Sequence, residues 1–169
     1  METKLFDHEE NFQKQLKDSQ EFVNYWVEII QRKICLKLNP IHSVTLQQKV
    51  LCDTQEGIEF KFDRIMKSSG NFWIEFEEKH HPDQEEYIPS GILRKDNTWL
   101  WAVGDFETLY FFPKKALLSE YRKGCSRVLP NDKKTSRAFL LPIEQATKIS
   151  ILELTPIEKK ELAAINNGE

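Results

Sequence analysis

Glu59, Lys61 and Asp63 alternate with Ile58, Phe60 and Phe62, and shortly afterwards Glu75 and Glu77 alternate with Phe72, Ile74 and Phe76. Side chains along a strand point to opposite faces with period two. Strands over 57–66 and 71–78 are therefore each apolar on one face and charged on the other, with Trp73 on the charged face. Ser68-Ser69-Gly70 between them is a turn signal. If the two strands pair as a hairpin with both apolar sets on one face, paired residue numbers sum to an even value. One solution joins Ile65 to Asn71 across a five-residue loop, setting Lys61 opposite Glu75 and Glu59 opposite Glu77. The next sets Asp63 opposite Glu75 and Lys61 opposite Glu77. Either way, several carboxylates and one lysine crowd a small patch. Like charges face to face destabilise a sheet, and a divalent cation relieves them. Mg2+ (or Mn2+) takes oxygen ligands, often one or two carboxylates with water and phosphate oxygens completing the shell. It polarises a phosphate and lowers the pKa of an attacking water. A lysine alongside can orient that water or neutralise developing charge. The patch thus suits phosphodiester hydrolysis. Without a metal, the same alternation describes the solvated face of a half-covered antiparallel sheet.

Other elements must position this patch. Residues 8–34 carry Phe12, Leu16, Val23, Trp26 and Ile30 at helical spacing, widened by Phe22 and Ile29, with Arg32 and Lys33 near the end where the helix dipole favours cations. Asn39-Pro40 stops the helix or its trailing segment. A strand is expected over 43–53. Two more are expected over 98–103 and 108–112, turning at Gly104-Asp105. Pro113 opens a helix over 114–122, because proline is tolerated in a first turn. A basic loop over 123–136, a strand over 137–141, a short helix over 142–146 and a C-terminal helix over 156–166 complete the chain. Trp99 and Trp101, two apart, are expected to cover the core together. With no repeat or linker, 1–169 reads as a single α+β domain.

The order helix, strand, Asp, then Glu-x-Lys on the next strand resembles the PD-(D/E)XK nuclease superfamily. The motif reads Asp53-Thr-Gln-Glu-Gly-Ile-Glu59-Phe60-Lys61, and Gly57 to Lys61 is similar to the Gly-Val-Glu-Leu-Lys type of segment in mismatch-repair and restriction nucleases. Lys61-Phe-Asp63, Gly70-Asn71, Ile74-Glu75, Pro89-Ser90-Gly91-Ile92 and Leu109 to Pro113 are similar to small phage and bacterial proteins of that superfamily. The likeness spans roughly residues 20–145. It implies a restriction-endonuclease-like central mixed sheet flanked by helices. It also implies a Mg2+-dependent DNA endonuclease of restriction, homing or resolvase-like type. Asp53, Glu59, Lys61 and Glu75 would be catalytic, and Asp53 and Glu59 would hold the metal. A helix glutamate, Glu21 or second Glu28, would complete the shell. A second frame, Asp63 with Glu75-x-Glu77 or Glu77-x-Lys79, stays open beside the first. The alternative function is a non-catalytic module on the same fold, binding nucleic acid or protein.

Basic residues gather after the sheet at Lys114, Lys115, Arg122, Lys123, Arg127, Lys133, Lys134 and Arg137, as a DNA-backbone contact would require. An ordinary solvated loop reads the same way. The net charge of −3 argues against a wholly basic nucleic-acid coat. Cys35, Cys52 and Cys125 form no CxxC pair, which disfavours a disulfide framework or zinc ribbon and fits a reducing cytoplasm. No apolar run reaches the roughly 20 residues of a membrane span. Cutting both strands of a duplex takes two sites, so a homodimer is expected. His80-His81 and Trp99 read as surface and packing residues rather than ligands.

Overall fold

The computed structural model describes residues 2–41, 52–124, 128–131 and 135–156. The expected strand over 43–53 and the C-terminal helix over 156–166 lie almost wholly outside them.

The opening helix, α1 (Glu2–Ile34), begins earlier than its apolar pattern. Its stripe of Phe22, Val23, Trp26, Ile29 and Ile30 is buried against Ile58, Phe60, Leu100, Ala102, Leu109, Phe111 and Leu154. Each large side chain taken from water contributes ~1.5–3 kcal/mol, so this stripe, not helix propensity, holds an otherwise polar helix in place. Two side-chain donors fix its rotation: Trp26 Nε1 donates to the Asp105 carbonyl at 2.9 Å and the Tyr25 hydroxyl to that of Phe106 at 3.1 Å.

The apolar partners belong to a mixed sheet of β1 (Ile58–Phe62), β4 (Leu100–Gly104), β5 (Leu109–Pro113) and β8 (Leu152–Leu154), in the order β1-β4-β5-β8. Here β1 runs parallel to β4, with Glu59 beside Trp101 and Lys61 beside Val103, while β4–β5 and β5–β8 are antiparallel. A second, antiparallel sheet is ordered β3-β2-β7-β6, from β2 (Asn71–Glu78), β3 (Ile88–Pro89), β6 (Val128–Pro130) and β7 (Ser136–Pro142). Its Phe72, Ile74, Phe76, Phe139 and Leu141 form a second core with Trp101, Val103 and Phe112 from the other face of the mixed sheet. Three short helices, α2 (Met66–Ser69), α3 (Lys114–Arg122) and α4 (Ile143–Ile149), give this core Met66, Leu117 and Ala146. The molecule is thus α+β, with helices flanking a mixed sheet, and an antiparallel sheet covers that sheet's inner face. Among the described residues no helix is long and apolar enough to cross a membrane.

The expected hairpin does not form. β1 and β2 lie in different sheets: β1 takes β4 as its partner, and β2 takes β3 and β7. β1 instead runs parallel to a strand some forty residues downstream, whose five residues Leu100–Gly104 are apolar and buried on both faces. Trp99 also departs from expectation. Trp101 is 1% exposed, whereas Trp99 is 56% exposed and lies over Gly57, with its Nε1 donating to the Glu56 carbonyl at 2.7 Å.

Candidate active site

β1 is where the two cores part. Its apolar residues Ile58 and Phe60 face α1, and Glu59 and Lys61 face the inner side at the sheet's edge. Asp53 arrives on that edge through a turn rather than from a neighbouring strand. Thr54 Oγ1 accepts the Ile58 N–H at 3.0 Å, and Gly57, at φ 83°, lets the chain double back beneath Trp99. The Asp53 carboxylate then accepts the Phe60 N–H at 2.7 Å. This turn is why six residues suffice to carry the chain from Asp53 to Glu59.

Asp53, Lys61 and Glu75 line one open cleft of about 540 Å³, with Phe60, Phe62, Asp63, Arg64, Ile65, Trp73 and Trp101, and with Gln15 and Ser19 from α1. Glu59 is 5% exposed and lies outside that lining, beside Lys61, and accepts Lys61 Nζ at 2.7 Å on one oxygen and Arg94 Nη2 at 3.3 Å on the other. Glu75 comes from β2 and accepts the Ser90 hydroxyl at 2.9 Å. Asp53, Glu59, Lys61 and Glu75, the four residues expected to be catalytic, therefore lie close together, although the hairpin expected to unite Glu59, Lys61 and Glu75 is absent. Arg94 also donates to Asp96 at 2.5 Å, and Lys114 reaches Asp96 at 3.0 Å. The charges run Lys61, Glu59, Arg94, Asp96, Lys114, alternating in sign.

Burial and the Glu59 charge push the Asp53 carboxyl up to about 7, against the pull of Lys61, the Phe60 N–H and Arg94. Burial works to lower the Lys61 ammonium, but Glu59, Asp53 and Glu75 outweigh it and hold Lys61 protonated well above its ordinary range. Burial also opposes the Asp96 charge, yet hydrogen bonds from Arg94, Thr98 and Lys114 bring it down to about 2. Asp53 has a stability consequence. Its folded-state pKa lies above its unfolded value near 3.8, so the folded protein holds the extra proton between the two. Stability from this group is fully present below about pH 4 and is lost as pH rises through about 7. Metal-free urea melts at pH 5, 6, 7 and 8 should show this decline for wild type. Asp53→Asn should flatten it; an equal slope in the variant would remove Asp53 as its source.

Several other nominations move. Glu21 is exposed and does not line the cleft; it borders a shallow groove with Lys17, Gln20, Asn24, Tyr25 and Glu28, and a second recess with Phe62 and Arg64. Glu28 pairs with Arg32. Of the second frame, Asp63 and Glu75 line the cleft together and Glu77 does not. Glu77 faces Arg137 at 3.2 Å, and Asp63, 8% exposed, spends its carboxylate on the N–H groups of Ile65 at 3.1 Å and Trp73 at 3.0 Å. Lys114 is a buried member of the charge chain, 12% exposed at its side chain, and not a free phosphate contact. Lys115 and Arg122 are exposed, Lys123 pairs with Glu120, and Arg137 also lies over the Tyr87 ring at 3.8 Å. Arg127, Lys133 and Lys134 lie outside the described residues, as does Cys125.

Sequence reading missed Arg94 and Asp96, which no periodicity marks, and met Ser90 only within the Pro89-Ser90-Gly91-Ile92 segment, with no role attached to it. Gln15 and Ser19 did leave a signal: they continue the buried stripe of Phe22 and Trp26 backwards at helical spacing, so that stripe turns polar where it passes the cleft.

Among the described residues no three His, Cys, Asp or Glu side chains stand together as a closed metal cage. Asp53 and Glu59 are instead a pair of hard oxygen donors beside an open cleft. That suits Mg2+, which keeps water and phosphate oxygens in most of its positions. Comparison with protein-family models, with curated proteins and with solved structures yields no match.

Proposed function

We propose that the protein is a Mg2+-dependent (or Mn2+-dependent) DNA endonuclease of the PD-(D/E)XK type that hydrolyses phosphodiester bonds in the Asp53–Glu59–Lys61–Glu75 cleft. One observation carries the reading: carboxylates from three separate stretches of chain converge on one lysine in an open cleft. Asp53 and Glu59 would hold the metal. When bound, it would polarise the scissile phosphate and activate a water. Lys61 cannot serve as the base, because its three acidic neighbours keep it protonated; it supplies a donor to the charge developing on the phosphate. Glu75, anchored by Ser90, maintains that protonation from across the cleft. Lys115 and Arg122 are exposed to the DNA backbone, while Arg137 is held by Glu77 and the Tyr87 ring. Duplex cleavage on both strands would take a homodimer.

The rival reading, a non-catalytic binding module, draws on a different observation: Glu59 already has two cationic partners, so the cluster also balances as a structural charge network. Cleavage of end-labelled DNA in Mn2+, wild type against Glu59→Gln, separates the two. The nuclease reading expects cleavage by wild type alone.

A further inference from the structure

Trp73 and Ile65 at the mouth of the cleft are not explained by packing. Trp73 lies on the face of β2 opposite Phe72 and Ile74, and among the described residues it belongs to neither hydrophobic core. It lines the cleft beside Glu75. Ile65 is 60% exposed, yet lines the same cleft. Both are held from behind by one group, since the two oxygens of the nearly buried Asp63 accept their backbone N–H groups. The floor adds a second observation. Trp101 is 1% exposed, lines the cleft beneath Lys61, and its indole N–H has no acceptor among the described residues.

We propose that Trp73 and Ile65 clamp one unpaired nucleobase, so that DNA enters this cleft as a single strand with an adjacent phosphate directed to Lys61. The inference rests on the nuclease reading and names its substrate class. Aromatic planes bind unpaired bases by stacking, irrespective of sequence, and exposed aliphatic side chains act as wedges that part neighbouring bases. The recess is on the scale of small-molecule sites, about 300–1,000 Å³, which admits a nucleotide and not the body of a duplex. A phosphate reaching the floor must therefore belong to a strand that has left its stack, and Lys61, 38% exposed at its side chain, is the donor to its oxygens. On this account, one site acting on one strand has no need of a second copy.

The test uses the full chain in Ca2+, with a single-stranded oligonucleotide carrying 2-aminopurine and the duplex of the same sequence. Wild type should bind the single strand about tenfold or more tightly than the duplex and should quench the 2-aminopurine. Trp73→Ala should lose about tenfold in single-strand affinity together with the quench. Trp73→Phe should keep most of both, and Ile65→Ser, at an exposed position, should weaken binding without lowering Tm. Equal affinity for duplex and single strand, or unchanged binding by a folded Trp73→Ala, would overturn the inference. Cleavage in Mn2+ is scored separately. Duplex cutting untouched by Trp73→Ala sinks the clamp and leaves the nuclease; Trp73-dependent single-strand binding with no cleavage in Mg2+ or Mn2+ sinks the nuclease and leaves the clamp.

Discussion

Replacing Lys61 with Met should abolish phosphodiester cleavage, by about a thousandfold or more, while leaving a folded protein. Removal of a single donor to developing charge in a preorganised site typically costs 10²–10³ in rate, and Lys61 is also the cation shared by Asp53, Glu59 and Glu75. The stability cost should be smaller. Breaking a buried ion pair costs about 3–5 kcal/mol, but the Lys61 side chain is 38% exposed and Arg94 still holds Glu59, so about 1–3 kcal/mol is expected. The three carboxylates left behind then repel one another, so Ca2+ should raise the Tm of Lys61→Met more than that of wild type. Lys61→Arg should recover stability without recovering rate, since the charge returns on a group of different shape. Cleavage by Lys61→Met at the wild-type rate would remove the lysine from the chemistry. These outcomes are read from single-turnover rates and thermal melts with and without Ca2+.

The second large effect is expected at a glycine, which carries no charge of its own. Gly91 sits at φ 48°, and a Cβ there would lie 2.1 Å from the Glu75 carbonyl oxygen and 2.6 Å from its carbonyl carbon. The turn cannot back away, because the Ser90 N–H donates to the Phe76 carbonyl at 2.9 Å and the Ser90 hydroxyl to the Glu75 carboxylate at 2.9 Å. Left-handed backbone costs alanine ~1–2 kcal/mol, and displacing a packed strand adds to it. Gly91→Ala should therefore destabilise the protein by about 3 kcal/mol or more. In a chain of this size that is a drop of roughly 6–12 °C in Tm. Residual folded protein should cleave more slowly, because Glu75 moves with its strand. A Tm within a degree or two of wild type would show that the contact is not tight.

These two predictions also mark what the sequence could and could not convey. Local patterns were legible. The stripe through Phe22, Trp26 and Ile30 placed α1, the alternation in Ile58–Phe62 and Asn71–Glu78 placed two strands and their apolar faces, and Pro113 marked the start of α3. Pairing was not legible. The period of two says which side chains share a face and nothing about which strand lies alongside, so the nearest partner was chosen for β1 and the true one was Leu100–Gly104. Glu59, Lys61 and Glu75 were grouped through a hairpin that does not occur, yet they meet, because the face assignments survive a change of partner; Asp53, expected from the resemblance alone, joins them through a turn. Glu21 fails for a related reason: it lies one residue from Phe22, about 100° around the helix, and turns away from the cleft that Ser19 faces. Arg94 and Asp96 sit in a loop, where no periodicity records a contact reaching back to Glu59.

The central claim is that this carboxylate–lysine cleft cuts DNA with a divalent metal, and the most direct measurement is single-turnover cleavage of end-labelled oligonucleotides in Mn2+, wild type beside Glu59→Gln. Single-stranded, duplex and branched substrates are assayed in parallel, with the Ca2+-induced Tm shift of each protein as the metal readout. The account predicts cleavage of at least one substrate by wild type, a loss of about a thousandfold in Glu59→Gln, and a Ca2+-induced stabilisation that the variant lacks. No cleavage of any substrate by wild type, with the same Ca2+ response in both proteins, would contradict it.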